Sequence, residues 1–350
     1  MNICFNFLYI CGLHNSPVGI IKVHNVLLCY HALCTFNGIE VMGKWVWCHK
    51  KNEMNEKVLL IGNGINNISQ NYTWGDLIDN LIDYIGAAGQ IQTSDKPFPL
   101  LYEEIFVEAV KNRGFTEIKI KDFIGKEVRK LESNVLHEAF LDLGIKNILT
   151  TNYDFTFENN LTLNSTELKN NGIVKESLYS IFRHYQVSNR NIWHIHGDAN
   201  YSNSITLGYE HYSGYLQQMR NYVVTGTGTS YKNVKLESLT KRFRNDKLVD
   251  SQSWLDFFFT KDIYIIGLKL DFIEIHLWWL LTFRQRAKLT KKMNLNNKIV
   301  YFYPKTYANN IQNKIQLLKS NDILTVSCSY NENQKADYYK EVIRKINNGT

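Results

Sequence analysis

Four short polar segments of this chain combine residue types that chemistry can use, and each comes directly after an apolar run. The first is Gly62-Asn63-Gly64-Ile65-Asn66. Its two glycines permit a tight turn and a close approach of backbone N–H groups to a phosphate, although a plain turn would use them equally well. Position 67 is Asn, so the full Gly-x-Gly-x-x-Gly fingerprint is not met. The second is Thr150-Thr151-Asn152-Tyr153-Asp154. Asn152 can donate and accept hydrogen bonds without carrying charge, which suits holding a sugar hydroxyl or a water beside an electron-poor carbon. A capped turn, in which Asn and Asp bond their own backbone, uses the same residues.

The third segment is His194-Ile195-His196-Gly197-Asp198. Histidine titrates near neutrality and can serve as a general base. Strand alternation places His194 and His196 on one face. His196 is read as the base, because Gly197 opens the turn beside it and exposes it, and His194 as a packed strand residue. A two-histidine metal site lacks a third ligand of suitable spacing, so no metal is expected. The fourth segment is Gly267-Leu268-Lys269-Leu270-Asp271, followed by Glu274, His276, Trp278 and Trp279. Gly267 lets backbone approach a nucleotide, Lys269 can reach a phosphate or ribose, and the two tryptophans read as core residues of a helix.

The elements that must position these segments follow from periodicity. Lys57–Ile61, Asn147–Thr151, Asn191–Ile195, Asp262–Ile266, Lys298–Tyr303 and Ile323–Val326 are short apolar runs expected to be strands. Trp74–Ile85 carries Leu77, Ile78, Leu81, Ile82 and Ile85 at helical spacing. Further helices are expected at Leu100–Lys111, Ile120–Leu143, Tyr209–Met219, Phe272–Arg286, Tyr307–Leu318 and Ala336–Ile346. The longest of these, Ile120–Leu143, would line one face with Phe123, Val128, Leu131, Val135 and Leu136. A mostly polar connection runs through Asn171, and Val224–Asp250 reads as a loop with a short helix. The expected class is α/β: a Rossmann-like, mainly parallel sheet flanked by helices, with helical insertions. In such sheets ligands bind outside the carboxyl ends of the strands, so four polar turns distant in sequence can meet in one crevice.

Composition bounds the rest. The 350 residues are 44% hydrophobic, enough for a sizeable core, and contain only four prolines. The formal charge of +7 suits an anionic ligand or weak nucleic-acid contact, or simply a solvated surface. No apolar stretch is long enough to span a bilayer; the nearest, Ile263–Leu281, is interrupted by Lys269, Asp271, Glu274 and His276. Cys4, Cys11, Cys29, Cys34 and Cys48 precede Met54, only Cys328 follows it, and there is no Cys-x-x-Cys pair. A four-cysteine zinc module is therefore excluded, and a reducing, cytoplasmic setting is expected. Residues 1–53 also hold four of the ten histidines. They are read as an atypical N-terminal segment, either an upstream extension with translation starting at Met54 or a genuine small segment packed on the domain. Residues 54–350 form the catalytic domain in this reading.

Taken in order, the glycine turn, Thr-Asn-Tyr-Asp, His-Gly and Gly-Leu-x-Leu, with Leu207-Gly208-Tyr209-Glu210-His211-Tyr212, resemble the sirtuin family, and within it the bacterial sirtuin-like branch of antiphage defence. The resemblance spans about Val58 to Leu281. It implies NAD as substrate, with Asn152 and His196 catalytic. Gly62, Asn63, Gly64, Asn66, Thr151, Asp154, Gly267 and Lys269 are then the cofactor-binding set. Asp154 would bind the nicotinamide amide or brace its loop. Asn66 and Lys269 stand where the family carries serines. Lysine-deacylating members use a four-cysteine zinc module that this chain lacks. The implied reaction is hydrolysis of the nicotinamide–ribose bond to nicotinamide and ADP-ribose, gated by self-assembly or by a defence partner. Lys241–Lys247 and Arg284–Lys292 are candidate assembly surfaces. Lysine deacylation, a non-catalytic NAD or ADP-ribose sensor, and a nucleic-acid-binding subunit are the other classes considered.

Overall fold

The computed structural model describes residues 55–349 except 69–72, 162–167, 229, 246–251 and 292; of the first 54 residues it describes the backbone of four strands. These are β1 (Leu8–Ile10), β2 (Val18–Val23), β3 (Val26–His31) and β4 (Val46–Cys48), which pair antiparallel in sequence order. The chain divides into two compact units at Met54, and the second, Asn55–Thr350, holds all four polar segments.

That unit is built on an eight-stranded sheet. Its strands are β5 (Lys57–Ile61), β6 (Asn147–Thr150), β7 (Lys169–Asn171), β8 (His184–Val187), β9 (Arg190–His194), β10 (Asp262–Ile266), β11 (Ile299–Pro304) and β12 (Leu324–Cys328). The spatial order is β12-β11-β10-β5-β6-β9-β8-β7. The first six in that order are parallel, and β8 and β7 add an antiparallel edge. Taken in chain order, the parallel strands reproduce the Rossmann order 3-2-1-4-5-6, which reverses direction between β5 and β10. The fold is α/β of Rossmann type, as the alternation of runs predicts.

The sheet is covered on both faces, which is why its strands read as continuous apolar runs. Val58, Leu60, Leu149, Trp193, Ile263 and Ile265 face one side. They pack there with α6 (Tyr209–Arg220), α8 (Trp254–Thr260) and α9 (Ile275–Thr290). Leu59, Ile61, Ile148, Ile192, Tyr264 and Ile266 face the other, against α4 (Val135–Leu141) and α11 (Lys335–Asn347). A third cluster forms beside the sheet from α1 (Trp74–Tyr84), α2 (Phe98–Arg113) and α3 (Glu117–Val128), packed on Tyr153, Phe155, Ala199 and Leu207. The remaining α-helices of the described residues are α5 (Thr156–Leu161), α7 (Leu239–Arg244) and α10 (Gln312–Ser320).

Several local expectations need correcting. The single helix expected over Ile120–Leu143 is two, α3 and α4. Asn134 restarts the chain as an N-cap: its side-chain oxygen accepts from Leu136 N (2.9 Å) and its own N–H donates to His137 Nδ1 (3.0 Å). Val135, expected on the buried face, is 67% exposed. The polar connection through Asn171 contains α5 and β7, and β8 and α8 were not anticipated. Of the proposed assembly surfaces, Arg242 and Arg284 are buried and bond Glu237 O and Phe258 O respectively, so they serve the interior. Lys247 and Lys292 lie outside the described residues. No described helix is long and apolar enough to cross a membrane.

Candidate active site

The parallel strands place their carboxyl ends side by side, and a cavity of about 540 Å³ opens there, beside the reversal between β5 and β10. That volume is within the ~300–1,000 Å³ usual for small-molecule sites. Residues of all four polar segments line it: Asn63 and Gly64; Thr151, Asn152 and Asp154; His196; Gly267 and Lys269. Gly62 and Asn66 are not among its walls.

The glycine turn owes its composition to a close approach. Gly62 N donates to Ile266 O and Gly64 N to Gly267 O, both at 2.9 Å, so the turns after β5 and β10 are stitched together. A Cβ on Gly62 would lie 2.6 Å from Gly267 O, and one on Gly64 would lie 2.5 Å from the Tyr339 hydroxyl. These two N–H groups are committed to that seam. Asn66 braces from behind: its amide nitrogen donates to Asn63 Oδ1 (2.9 Å) and Asp154 Oδ2 (3.0 Å), and its oxygen faces His137 Nε2 (3.0 Å). Asp154 Oδ1 accepts from Thr156 N (3.1 Å) and from the Thr156 hydroxyl (2.6 Å). Of the two roles open to Asp154, bracing its loop is the one its bonds perform.

Asn152 is held by its backbone and left free at its side chain. Its N–H donates to Thr150 Oγ1 (3.0 Å), and its carbonyl faces His194 Nδ1 (2.8 Å). The other nitrogen of His194 meets Glu158 Oε1 at 2.8 Å. Burial disfavours a charged His194, but Glu158 outweighs it and raises the pKa to about 9. His194 is thus a charged clamp on the Asn152 loop. Asn152 Nδ2 and Asn67 Oδ1 are both buried, both belong to cavity-lining residues, and neither has a partner among the described residues. Each is a polar atom left without a partner in a residue of the cavity wall.

His196 lies two residues past the end of β9. It is only 3% exposed, so Gly197 does not lay it open as expected. Gly197 has φ +88°, and a Cβ there would meet Ser204 O at 2.1 Å, so the position accepts only glycine. His196 Nε2 lies 2.8 Å from His276 Nε2, and Glu274 Oε2 lies 3.4 Å from it without hydrogen-bond geometry. Burial lowers the His196 pKa to about 3, so the ring is neutral. Burial, then the Asp271 charge, pushes Glu274 up to about 8. Neither Glu274 nor His276 received a role from sequence. They reach His196 from the start of α9, which follows the turn after β10, and no spacing signal connects positions 80 apart.

One wall is aromatic. Trp74 contacts Phe98 (5.0 Å) and Tyr153 (5.7 Å), with Leu77, Val128 and Leu131 beyond. It comes from the α1–α3 insertion, whose periodicity was visible but whose position over the sheet edge was not. Lys269 is exposed at the site, and its carbonyl accepts from Lys314 Nζ (2.9 Å) and the Tyr301 hydroxyl (3.1 Å).

Fold and cavity together define a Rossmann-type domain with a cavity of small-molecule size at its topological switch point. Residues 146–246 match the family model of the SIR2-like domain, which supports the sirtuin-like resemblance. The matched stretch carries Thr151, Asn152, Asp154 and His196; the glycine turns after β5 and β10 lie outside it. No curated protein matches the chain.

Proposed function

We propose that this protein hydrolyses NAD at the nicotinamide–ribose bond, releasing nicotinamide and ADP-ribose. The observation that carries the reading is that Asn152, whose buried amide nitrogen has no partner among the described residues, and His196 line one cavity at the Rossmann switch point. Heterolysis of the C–N bond leaves the electron pair on nicotinamide and positive charge on the ribose. Water then adds to the anomeric carbon and gives up a proton. Asn152 would orient that water or a ribose hydroxyl through its amide. His196, neutral, can accept a hydrogen bond from a hydroxyl and polarise it, and the proton passes on to solvent water. Asn63, Gly64, Thr151, Gly267 and Lys269 are proposed to contact the dinucleotide directly. Gly62, Asn66 and Asp154 would shape the turns that hold it. The aromatic wall offers a face for a planar ring. The resemblance to the antiphage branch supports an effector that depletes NAD, held inactive until self-assembly or a partner releases it.

Nicotinamide release from NAD by purified protein, across protein concentrations, tests this directly. Wild type should release nicotinamide, and Asn152→Ala and His196→Ala should each lose at least ~100-fold, the scale of a lost catalytic proton-transfer group. Equal turnover in both variants would sink the assignment. Release only with an acylated lysine peptide would indicate deacylation, and NAD binding with no release under any condition would indicate a sensor.

A further inference from the structure

Three metal-type donors converge where the turns after β9 and β10 meet. Nε2 of His196 lies 2.8 Å from Nε2 of His276 and 3.4 Å from Glu274 Oε2; His276 Nδ1 lies 3.9 Å from that same oxygen. One ligand atom from each residue falls within 4.8 Å of the others. Both imidazoles are buried, and Glu274 Oε2 and His276 Nδ1 have no hydrogen-bond partner among the described residues. Glu274 Oε2, a buried orphan atom beside two imidazoles, is a cost unless something meets it. His196 and Glu274 also line the cavity, so a fourth coordination position can face solvent or substrate.

We infer that His196, Glu274 and His276 bind a zinc-type divalent ion, and that the bound ion withholds His196 from NAD. Two histidines and one carboxylate are a ligand set that zinc accepts with an open fourth position. Bonds of ~2.0–2.2 Å in a tetrahedral arrangement set ligand atoms roughly 3.3 Å apart. The His196–Glu274 separation already suits this, and the imidazole pair must open by about half an ångström. Harder cations that want six or more oxygen donors fit these ligands poorly. A metal on Nε2 occupies the atom through which His196 faces the cluster and places a positive charge beside it. It therefore opposes both hydrogen-bond acceptance by that atom and the positive charge that develops on the ribose. This inhibitory consequence rests on the hydrolase reading; binding of the ion does not.

The test uses the full chain after treatment with a chelator. Zinc titrated into wild type, followed by calorimetry, should show a site lost by at least ~100-fold in both Glu274→Gln and His276→Gln, each checked for folding by thermal melting. The chain has six cysteines, so cobalt should be substituted in parallel: nitrogen and oxygen ligation gives no thiolate-to-metal charge-transfer band. Zinc should suppress nicotinamide release, and chelator should restore it. No binding, binding unchanged in both variants, or a thiolate band on the cobalt that the variants fail to displace would overturn the site. Site-dependent binding with full activity at saturating zinc would overturn its inhibitory role. Failure of the hydrolase reading would instead appear as no nicotinamide release with or without metal, leaving the calorimetric result standing.

Discussion

At the scale of single residues, polar side chains around the cavity divide into those that have spent their hydrogen bonds and those that have not. Asn66 and His194 are spent, and Asp154 already accepts three bonds; each is buried and braces the turns around the site. Asn67 and Asn152 each keep one atom in reserve. A buried polar atom without a partner costs free energy that a ligand can recover. Asn67 is therefore predicted to contribute to NAD binding, although the resemblance placed only its neighbour Asn66 in the cofactor-binding set. Asn67→Ala should weaken NAD binding by about three- to tenfold, the worth of one hydrogen bond, with little effect on melting temperature. Calorimetry on the Asn152→Ala background, where turnover is suppressed, reads it out; unchanged affinity would remove Asn67 from the site.

Among elements, the seams carry most of the positioning. The β5 and β10 turns are joined by the Gly62 and Gly64 amides, and α4 is joined to the same region by its cap. Asn134 bonds Leu136 N at the start of α4, and its amide nitrogen donates to Ile65 O (2.9 Å) across the fold. Replacing it by Ala removes both bonds, so Asn134→Ala should cost ~1–2 kcal/mol in chemical denaturation, the upper part of the range for an N-cap. Loss of the tie to Ile65 should also raise KM for NAD. An unchanged denaturation midpoint would mean that α4 is positioned by packing alone. A second seam follows His196: Asp198 Oδ2 accepts from Arg183 Nη2 (2.9 Å), and Oδ1 from the Tyr185 hydroxyl (3.1 Å). This buried pair anchors the antiparallel β8 edge to the end of β9. Asp198, a site-like residue by its neighbours, is a structural one by its bonds.

For the molecule as a whole, buried histidines link stability to pH. His137 is fully buried, accepts from Asn134 N through Nδ1, and faces Asn66 Oδ1 through Nε2. That pattern needs the neutral ring protonated on Nε2. Burial lowers its pKa from the usual 6.5 to about 4, the nearby Asp154 charge opposing the shift. Its folded pKa is below its unfolded one, so its contribution is fully present above pH 6.5 and is lost as pH falls through 4. Between these values the wild type should lose stability faster than His137→Gln, which cannot titrate. Parallel decline of both unfolding free energies would show that other groups dominate acid unfolding.

Fold class was readable because the two faces of the sheet are both buried: six parallel strands appear as short apolar runs whichever side they face. Each polar turn was visible for the matching reason, since the residues directly after a buried strand are where polarity returns. Local boundaries were less secure. The α3–α4 break depends on a cap at Asn134 that also answers to Ile65, a residue 69 positions away. What only the tertiary structure decided is which polar atoms are left over. Sequence shows that Asn66, Asn67, Asn152, Asp154, His194 and His196 can all make hydrogen bonds. It does not show that His194 is consumed in bracing and Asp154 largely so, nor that Glu274 and His276 complete the surroundings of His196. Hydrogen-bond capacity is a property of each residue, but its satisfaction depends on neighbours that the chain brings together across distances no local pattern records.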